Sequence, residues 1–178
     1  MPIYIALLRG VNVGGNLLKM ERLRELCSEL GFHNVRTYVQ SGNVIFESAA
    51  SPGQCAKRLH EKLAGQTRLP VAVVLRTASD LHRILEENPF LNRRGLDPAK
   101  LHVTFLESPA AKAASPFLSK VDAGEDEFRV AGAEIYLHCP NGYGTTKLSN
   151  TRIEKLFSVS ATTRNWNTVN KLYEMASG

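Results

Sequence analysis

The chain has 178 residues, of which 43% are hydrophobic and 22% are charged, and its net charge is +5. This composition is typical of a chain that packs a core, and it excludes a disordered one. No apolar run approaches the ~18 residues that span a bilayer, so a transmembrane protein is excluded and we expect no membrane partner. The first residues lack the basic segment of a signal peptide and are typical of a strand.

The three cysteines, Cys27, Cys55 and Cys139, are far apart in the sequence. Their odd number and their spacing argue against a disulfide framework. The five histidines do not fall at zinc-ligand spacing from them, so we expect no metal ion. We also expect no cofactor. The expectation is therefore a reduced, cytoplasmic protein.

The first half of the chain reads as strand, helix, strand, strand, helix, strand. The first strand is apolar on both sides, which predicts that both of its faces are covered. Apolar residues at helical spacing, ended by Gly31, predict the first helix, and turn residues at 41–43 predict a hairpin. The predicted strands are Ile3–Leu8, Val35–Gln40, Val44–Glu47 and Val71–Leu75, and the predicted helices are Leu18–Leu30 and Pro52–Leu63. This order is that of the ferredoxin-like unit.

A linking helix at Thr77–Glu87 and a loop at 88–100, rich in Asn, Pro and Gly, lead to a repeat of the same order. The second set has strands at Leu101–Leu106, Glu127–Val130, Glu134–His138 and Ser158–Ala161, helices at Ala110–Lys120 and Asn150–Phe157, and a terminal helix from Trp166. We therefore predict an α+β fold of two ferredoxin-like (β-α-β-β-α-β) units in tandem with a C-terminal helix. The predicted domains are 1–76 and 101–178, joined by 77–100.

A first polar cluster is expected where the first strand ends and the third begins, because these strands are antiparallel neighbours in a ferredoxin-like sheet. Glycines let backbone N–H groups turn toward a ligand just before a helix N-terminus, which favours anions. Arginine adds a bidentate donor, and Asn and Ser add neutral donors and acceptors. The candidate residues are Arg9, Asn12, Gly14, Gly15, Ser41 and Asn43. The alternative is that Gly and Asn stand here only because tight turns require them.

A second polar cluster is expected in the second unit, at the opposite sheet end, where its third and fourth strands end together. Thr162 or Thr163 is expected to cap the last helix, which would place Arg164 in its first turn, against the helix macrodipole. A bound anion would relieve that conflict, and an exposed, solvated arginine is the alternative. The candidate residues are Thr146, Lys147, Arg164 and Asn165.

Neither a nucleotide fingerprint nor a nucleophile arrangement is present. The spacing of Gly10, Gly14 and Gly15 matches neither the P-loop nor the dinucleotide pattern. Cys139 and His138 are adjacent in a strand and therefore point to opposite faces. No acid or base can be assigned, so the sequence leaves catalysis open.

Three separated motifs resemble the bacterial domain-of-unknown-function family 1697. They are LRGVNVGG at residues 8–15, TYVQSGNV at 37–44 and TRNWNTV at 163–169. The resemblance spans nearly the whole chain and implies a duplicated α+β fold of the ferredoxin-like kind. It implies no activity.

The sequence favours binding of a small anionic or phosphorylated ligand at the two clusters, with or without catalysis. The first alternative is an RNA-binding module, because ferredoxin-like sheets stack bases on aromatic residues of their central strands. Against it, Asn43, Val44 and Ile45 stand where the third strand would need aromatic side chains. The second alternative is a structural or oligomeric protein without a ligand. The oligomeric state itself is not predicted.

Overall fold

The computed structural model describes residues 1–110 and 120–178 and shows an α+β protein. These residues form two four-stranded antiparallel sheets and five α-helices, which confirms the predicted class. The chain divides into two compact units, one of residues 1–82 with 171–178 and one of residues 83–170. The helix predicted at Ala110–Lys120 lies, apart from its two end residues, outside the described residues.

The first unit contains strands β1 to β4 in the spatial order β2-β3-β1-β4. The strands are β1 (Ile3–Arg9), β2 (His33–Tyr38), β3 (Asn43–Glu47) and β4 (Ala72–Thr77), and the helices between them are α1 (Met20–Glu29) and α2 (Pro52–Ala64). Central strand β1 is antiparallel to both of its neighbours, with Ile5 opposite Ile45 on β3 and Arg76 on β4.

One face of this sheet packs against α1 and α2 because each helix presents an apolar stripe toward it. The stripes include Leu23 and Leu26 of α1 and Leu59 and Leu63 of α2, all fully buried. Alternate residues of β1 join this core, and the residues between them, which point to the other face, are also fully buried. The expectation that β1 is covered on both faces is confirmed.

The boundaries of the first two helices follow from local chemistry. Helix α2 begins at Pro52 because the Ser51 hydroxyl accepts from the backbone N–H of Gln54, whose side chain accepts in return from the Ser51 N–H. Proline suits this first position, since no hydrogen bond is lost there. After α1 the chain turns at Gly31, whose φ of +78° is in the left-handed region that glycine tolerates.

The second unit repeats the strand order as β6-β7-β5-β8. Its strands are β5 (Leu101–Leu106), β6 (Glu127–Ala131), β7 (Glu134–His138) and β8 (Ala161–Asn165), and α4 (Asn150–Phe157) precedes β8. Ile153 and Phe157 of α4 pack against one sheet face together with Ile135 and Leu137 of β7. Helices α3 (Ala78–Glu86) and α5 (Trp166–Ser177) each contain residues of both units.

The last strand of the second unit was predicted at Ser158–Ala161 and lies at Ala161–Asn165 instead. Ser158 has a φ of 54° and caps α4, so the chain is still turning there. The two threonines predicted to cap the last helix lie within the strand, where β-branched residues fit the pleated surface. The cap is Asn165, whose Oδ1 accepts from the backbone N–H of Thr168 at 2.8 Å.

All three cysteines are buried and unpaired. Burial raises the pKa of the Cys27 thiol to about 12, and burial is also the main cause that raises the pKa of Cys139 to about 11. Within residues 1–110 and 120–178, no group of His, Cys, Asp and Glu side chains has the geometry to hold a metal ion. No helix in that part of the chain combines the length and hydropathy needed to cross a bilayer.

Candidate functional site

Three loops meet at one end of the first sheet, because β1 and β2 end there and β3 and β4 begin there. They are residues 10–19, 39–42 and 65–71, which we call the three-loop end. The backbone N–H of Leu8 donates to the Gly42 carbonyl at 2.9 Å, and Nδ2 of Asn12 donates to the Gln40 carbonyl at 2.6 Å. The structure therefore brings the first two loops together, as the sequence predicted.

Asn16 joins the first loop to the third, a role that sequence reasoning did not assign to it. Its side chain is almost fully buried. Nδ2 donates to the carbonyls of Gly10 (2.9 Å) and Leu69 (3.3 Å), and Oδ1 accepts from the backbone N–H groups of Arg68 and Leu69. The amide of Asn16 thus satisfies four backbone groups in two loops, and nothing in the sequence distinguishes it from Asn12.

The predicted site residues Asn12, Ser41 and Asn43 take part in hydrogen bonds within these loops. Oδ1 of Asn12 accepts from the Leu18 N–H at 2.8 Å. Nδ2 of Asn43, which is fully buried, donates to the Tyr38 carbonyl (2.9 Å) and to Oγ of Ser41 (3.0 Å). These bonds support the turn-forming alternative, and ligand binding by the three residues stays a prediction.

The other predicted residues of the first cluster are Arg9, Gly14 and Gly15. Arg9 is half-buried at the end of β1, and the two glycines are exposed. Gly14 and Gly15 have φ values of 57° and 81°, so both adopt the left-handed backbone that a loop of this shape requires. No contact of these residues identifies a ligand.

The predicted residues of the second cluster are engaged with different partners. Oγ1 of Thr146 donates to Oδ2 of Asp126 at 2.5 Å, and Nζ of Lys147 donates to Oδ2 of Asp122 at 2.7 Å. Asn165, the cap of α5, is exposed. The positive charge of Lys147 is therefore directed at a carboxylate of the same unit, and anion binding by these residues stays a prediction.

The prediction that Arg164 lies in the first turn of the last helix is wrong. It lies in β8 opposite Val103, and its side chain is buried. Nη1 donates to Oγ1 of Thr162 at 2.6 Å and to the Thr163 carbonyl at 2.9 Å. Burial lowers the pKa of Arg164 to about 10, because a guanidinium removed from water loses hydration. The conflict with the helix macrodipole, from which the second anion site was argued, is therefore absent.

An open cleft of about 360 Å³ in the second unit was not foreseen from the sequence. It lies where loop 93–100 meets the end of β7, and we call it the Arg93 cleft. Its lining residues are Arg93, Arg94, Gly95, Leu96, Asp97, Lys100, His138 and Pro140. The single carboxylate among them, Asp97, accepts from the Ala99 N–H at 3.0 Å and caps a short 3₁₀ turn. The cleft is therefore predominantly cationic.

Glu127 contacts and orients two residues that line the cleft, Arg93 and His138. Arg93 donates to both carboxylate oxygens of Glu127, at 2.5 and 2.9 Å, and Nδ1 of His138 lies 3.2 Å from Oε1. The Arg93 hydrogen bond is the main cause that lowers the pKa of Glu127 to about 2, with a smaller contribution from His138 and an opposing one from burial. An ionised carboxylate can only accept hydrogen bonds, so Nδ1 of His138 is the nitrogen that donates to Glu127. The other ring nitrogen, Nε2, takes no part in this hydrogen bond.

Two further cations border the cleft without an acidic partner among the described residues, Arg94 and Lys100. Arg93 itself is placed by Phe90, with its Cζ 5.5 Å from the ring centroid. The one sequence signal for this site was the Arg93–Arg94 pair. It stands in a segment whose Asn, Pro and Gly content predicted only a linking loop.

The fold and this cleft together define an α+β protein with two four-stranded antiparallel sheets and a basic cleft in its second unit. The chain belongs to the protein of unknown function family DUF1697, whose sequence profile matches residues 1–136. This confirms the resemblance that the three motifs indicated.

One solved structure, the conserved bacterial protein SP0830 from Streptococcus pneumoniae, is similar to the chain with a TM-score of 0.78. The two sequences are 23% identical, and the match covers 100% of this chain and 99% of that one. Likeness at this identity shows a shared fold. No curated protein matches the chain.

Proposed function

We propose that the protein binds a small phosphorylated or otherwise anionic ligand in the Arg93 cleft. The observation that carries the proposal is the convergence of Arg93, Arg94 and Lys100 on one open cleft whose single carboxylate already caps a turn. Glu127 neutralises Arg93, which leaves Arg94 and Lys100 as the cations available to a ligand. Arginine and lysine are the side chains that bind phosphate most strongly through charge-assisted hydrogen bonds.

His138 is the residue of this cleft that is suited to move a proton. Its ring is fixed by the Glu127 carboxylate on Nδ1, the arrangement that orients an imidazole for general acid–base catalysis. A phosphate ester held by Arg94 and Lys100 would lie beside this ring, since all three residues line the same cleft. If the protein acts on its ligand, His138 is the residue we assign to proton transfer.

The proposal is tested by titrating the full chain with inorganic phosphate and pyrophosphate and following backbone amide NMR shifts. We expect shifts centred on residues 93–100 and 138, and about a 10-fold loss of affinity for each of Arg94→Gln and Lys100→Gln. Lys155→Gln is the matched control, because Lys155 is an exposed lysine on α4 away from the cleft lining. Absence of phosphate-induced shifts at the cleft, or equal loss in the control, would refute the proposal.

The salt dependence of binding distinguishes this ligand class from nucleic acid. A small anion contacting two or three cations gives a shallow slope, whereas an oligonucleotide that displaces many counterions gives a steep one. Steep salt dependence with an RNA oligonucleotide, together with unchanged amide shifts in phosphate, would favour the RNA-binding alternative instead.

We also propose that both units have the ferredoxin-like topology, with boundaries near 1–76 and 101–178. Support comes from the spatial order of the strands, which is the same in both units. In the first unit, α1 connects β1 to β2 and α2 connects β3 to β4, as the ferredoxin-like order requires. In the second unit α4 occupies the place of α2.

We further propose a cytoplasmic location in a bacterium. The buried, unpaired cysteines support a reducing compartment. The likeness to a conserved bacterial protein supports the source.

A further inference from the structure

We propose that the three-loop end of the first unit docks onto an anionic lipid surface. Aliphatic side chains would enter the headgroup region, and basic side chains would lie at the lipid phosphates. The expectation of no membrane partner rested on the absence of a spanning segment, and peripheral contact needs none. The surface belongs to a different unit from the Arg93 cleft, so the proposal is independent of the proposed function.

Exposed aliphatic residues are concentrated at this end of the first unit. Within the part of the chain that the structure describes, six large hydrophobic side chains are exposed, and four of them belong to the three loops. These four are Val13 (57% exposed), Leu17 (75%), Val39 (49%) and Leu69 (60%). Single exposed hydrophobics are ordinary, but a group on one end of a sheet marks an interaction surface.

The loops that carry these side chains are held together. Asn12 links the first loop to the second, and Asn16 links the first to the third, so the four aliphatic residues belong to loops that are joined to one another. Val39 has a φ of 48°, a conformation that is costly for a β-branched residue. Its side chain is half exposed, so burial in the core does not account for a valine here, and such strain is typical of functional surfaces.

Basic residues accompany the aliphatic residues in these segments of the chain. The segments 9–19, 38–43 and 65–72 contain Arg9, Lys19 and Arg68 and no acidic residue. Each basic side chain near an anionic leaflet strengthens binding about fivefold at physiological salt. The combination of exposed aliphatic residues with basic neighbours is that of a peripheral membrane-binding surface.

The chemistry of the loops favours lipid over nucleic acid or a helical peptide. The segments 9–19, 38–43 and 65–72 contain one aromatic residue, the half-buried Tyr38, whereas single-stranded nucleic acid is bound chiefly by stacking of successive bases on aromatic rings. A groove that binds a helix is lined by apolar residues that are recessed from the surface. These four side chains instead project, with half to three quarters of their surface in solvent. Projecting aliphatic loop residues suit insertion between lipid headgroups.

The test is co-sedimentation of the full chain with two kinds of vesicle. One is pure phosphatidylcholine, and the other contains roughly a third phosphatidylserine to supply the negative surface potential. We expect binding to the second kind only, weakening as salt rises. Leu17→Asp is expected to reduce the partition coefficient at least 10-fold, because it replaces an exposed aliphatic side chain that would enter the headgroup region with a charge of the same sign as the lipid. Arg68→Gln is expected to reduce it about fivefold.

Leu91→Asp is the matched control, since Leu91 is an exposed leucine (48%) of the second unit. Its binding to the anionic vesicles should equal that of the natural chain. Thermal melts of all variants establish that they are folded, which is expected because Leu17 is a surface residue. Phosphate titration of Leu17→Asp should be unchanged, so failure here and failure of the proposed function are separable.

Three results would overturn the proposal. The first is equal sedimentation with both vesicle types, or none with either. The second is unchanged binding of Leu17→Asp. The third takes one of two forms. Leu17→Asp elutes as a smaller species than the natural chain in gel filtration, or the natural chain binds an oligonucleotide but no vesicles and Leu17→Asp loses the oligonucleotide binding. Either form of the third result would assign the surface to a second copy of the chain or to nucleic acid.

Discussion

In the first unit, the neutral side-chain amides of Asn12 and Asn16 link the loops at the sheet end. In the second unit, ion pairs such as Lys147–Asp122 and Arg93–Glu127 link segments that are distant along the chain. The strand order is the same in both units. The comparison shows that a sheet fixes where loops meet and leaves open how they are joined. The loops linked by Asn12 and Asn16 carry four exposed aliphatic residues, and the Arg93–Glu127 ion pair lies at a cleft lined by basic side chains.

The two units also share one residue that the element order alone did not reveal. Arg76 of β4 and Arg164 of β8 are both buried, and each directly precedes the residue that caps the next helix. Each donates through Nη1 to the carbonyl of the preceding residue, Leu75 at 2.8 Å and Thr163 at 2.9 Å. The similarity of the two units therefore extends from strand order to a specific buried side chain.

The largest expected effect is on the loops of the first unit that the buried Asn16 amide links. Asn16→Ala should lower the free energy of unfolding by about 3 kcal/mol, because it leaves buried backbone donors and acceptors unsatisfied. The loss should not depend on salt. Asn141→Ala is the control in the second unit, since Asn141 makes one exposed hydrogen bond to Glu125. Chemical denaturation of both variants measures the difference. Equal losses in the free energy of unfolding would show that Asn16 does not stabilise the loops more than an exposed asparagine does.

The hairpin turns of the two units provide the next comparison. Gly42 has a φ of +85°, and a Cβ there would lie 2.9 Å from Cβ of Leu8. Gly42→Ala should therefore cost about 2–3 kcal/mol through strain and overpacking. Gly132, in the corresponding turn, has a φ of +61° and open space around it, so Gly132→Ala should cost about 1 kcal/mol from strain alone. Denaturation midpoints check the ranking, which would be contradicted by equal costs.

The contribution of the Arg93–Glu127 ion pair to the free energy of unfolding should depend on pH. The pKa of Glu127 is lowered from 4.5 to about 2, so its contribution is complete above pH 4.5 and is lost as pH falls toward 2. Because 35% of the side chain is exposed, solvent screening reduces that contribution to about 1 kcal/mol. Glu127→Gln should lose this amount at neutral pH and show a flatter stability profile between pH 4.5 and 2. An unchanged profile in thermal melts would remove Glu127 from the pH dependence.

The smallest effect is expected at the exposed ion pair of Lys147 with Asp122. Both side chains are more than half exposed, so Lys147→Gln should leave the denaturation midpoint almost unchanged, with any small loss reduced further at high salt. A clear loss that persists in high salt would show that Lys147 supports the loop by packing rather than by charge. The measurement is denaturation at low and high ionic strength.

Much of the fold could be predicted because short-range chemistry determines it. The continuous apolar run at the start of the chain located β1, and Pro52 and Gly31 located helix boundaries. The exception, β8, arose because Thr162 and Thr163 are suited both to a helix cap and to a strand. Pairing with β5, which lies some sixty residues earlier, decided between the two.

The sequence by itself determined the α+β class, the family, and the meeting of the loops around Arg9, Asn12 and Asn43, since these follow from periodicity, motifs and antiparallel pairing. Only the tertiary structure decided what each polar side chain does. The burial of Arg164, the four hydrogen bonds of Asn16 and the cleft around Arg94 and Lys100 all depend on contacts between segments distant along the chain. A residue's type fixes what it is able to donate, accept or neutralise, and the fold alone supplies the partner.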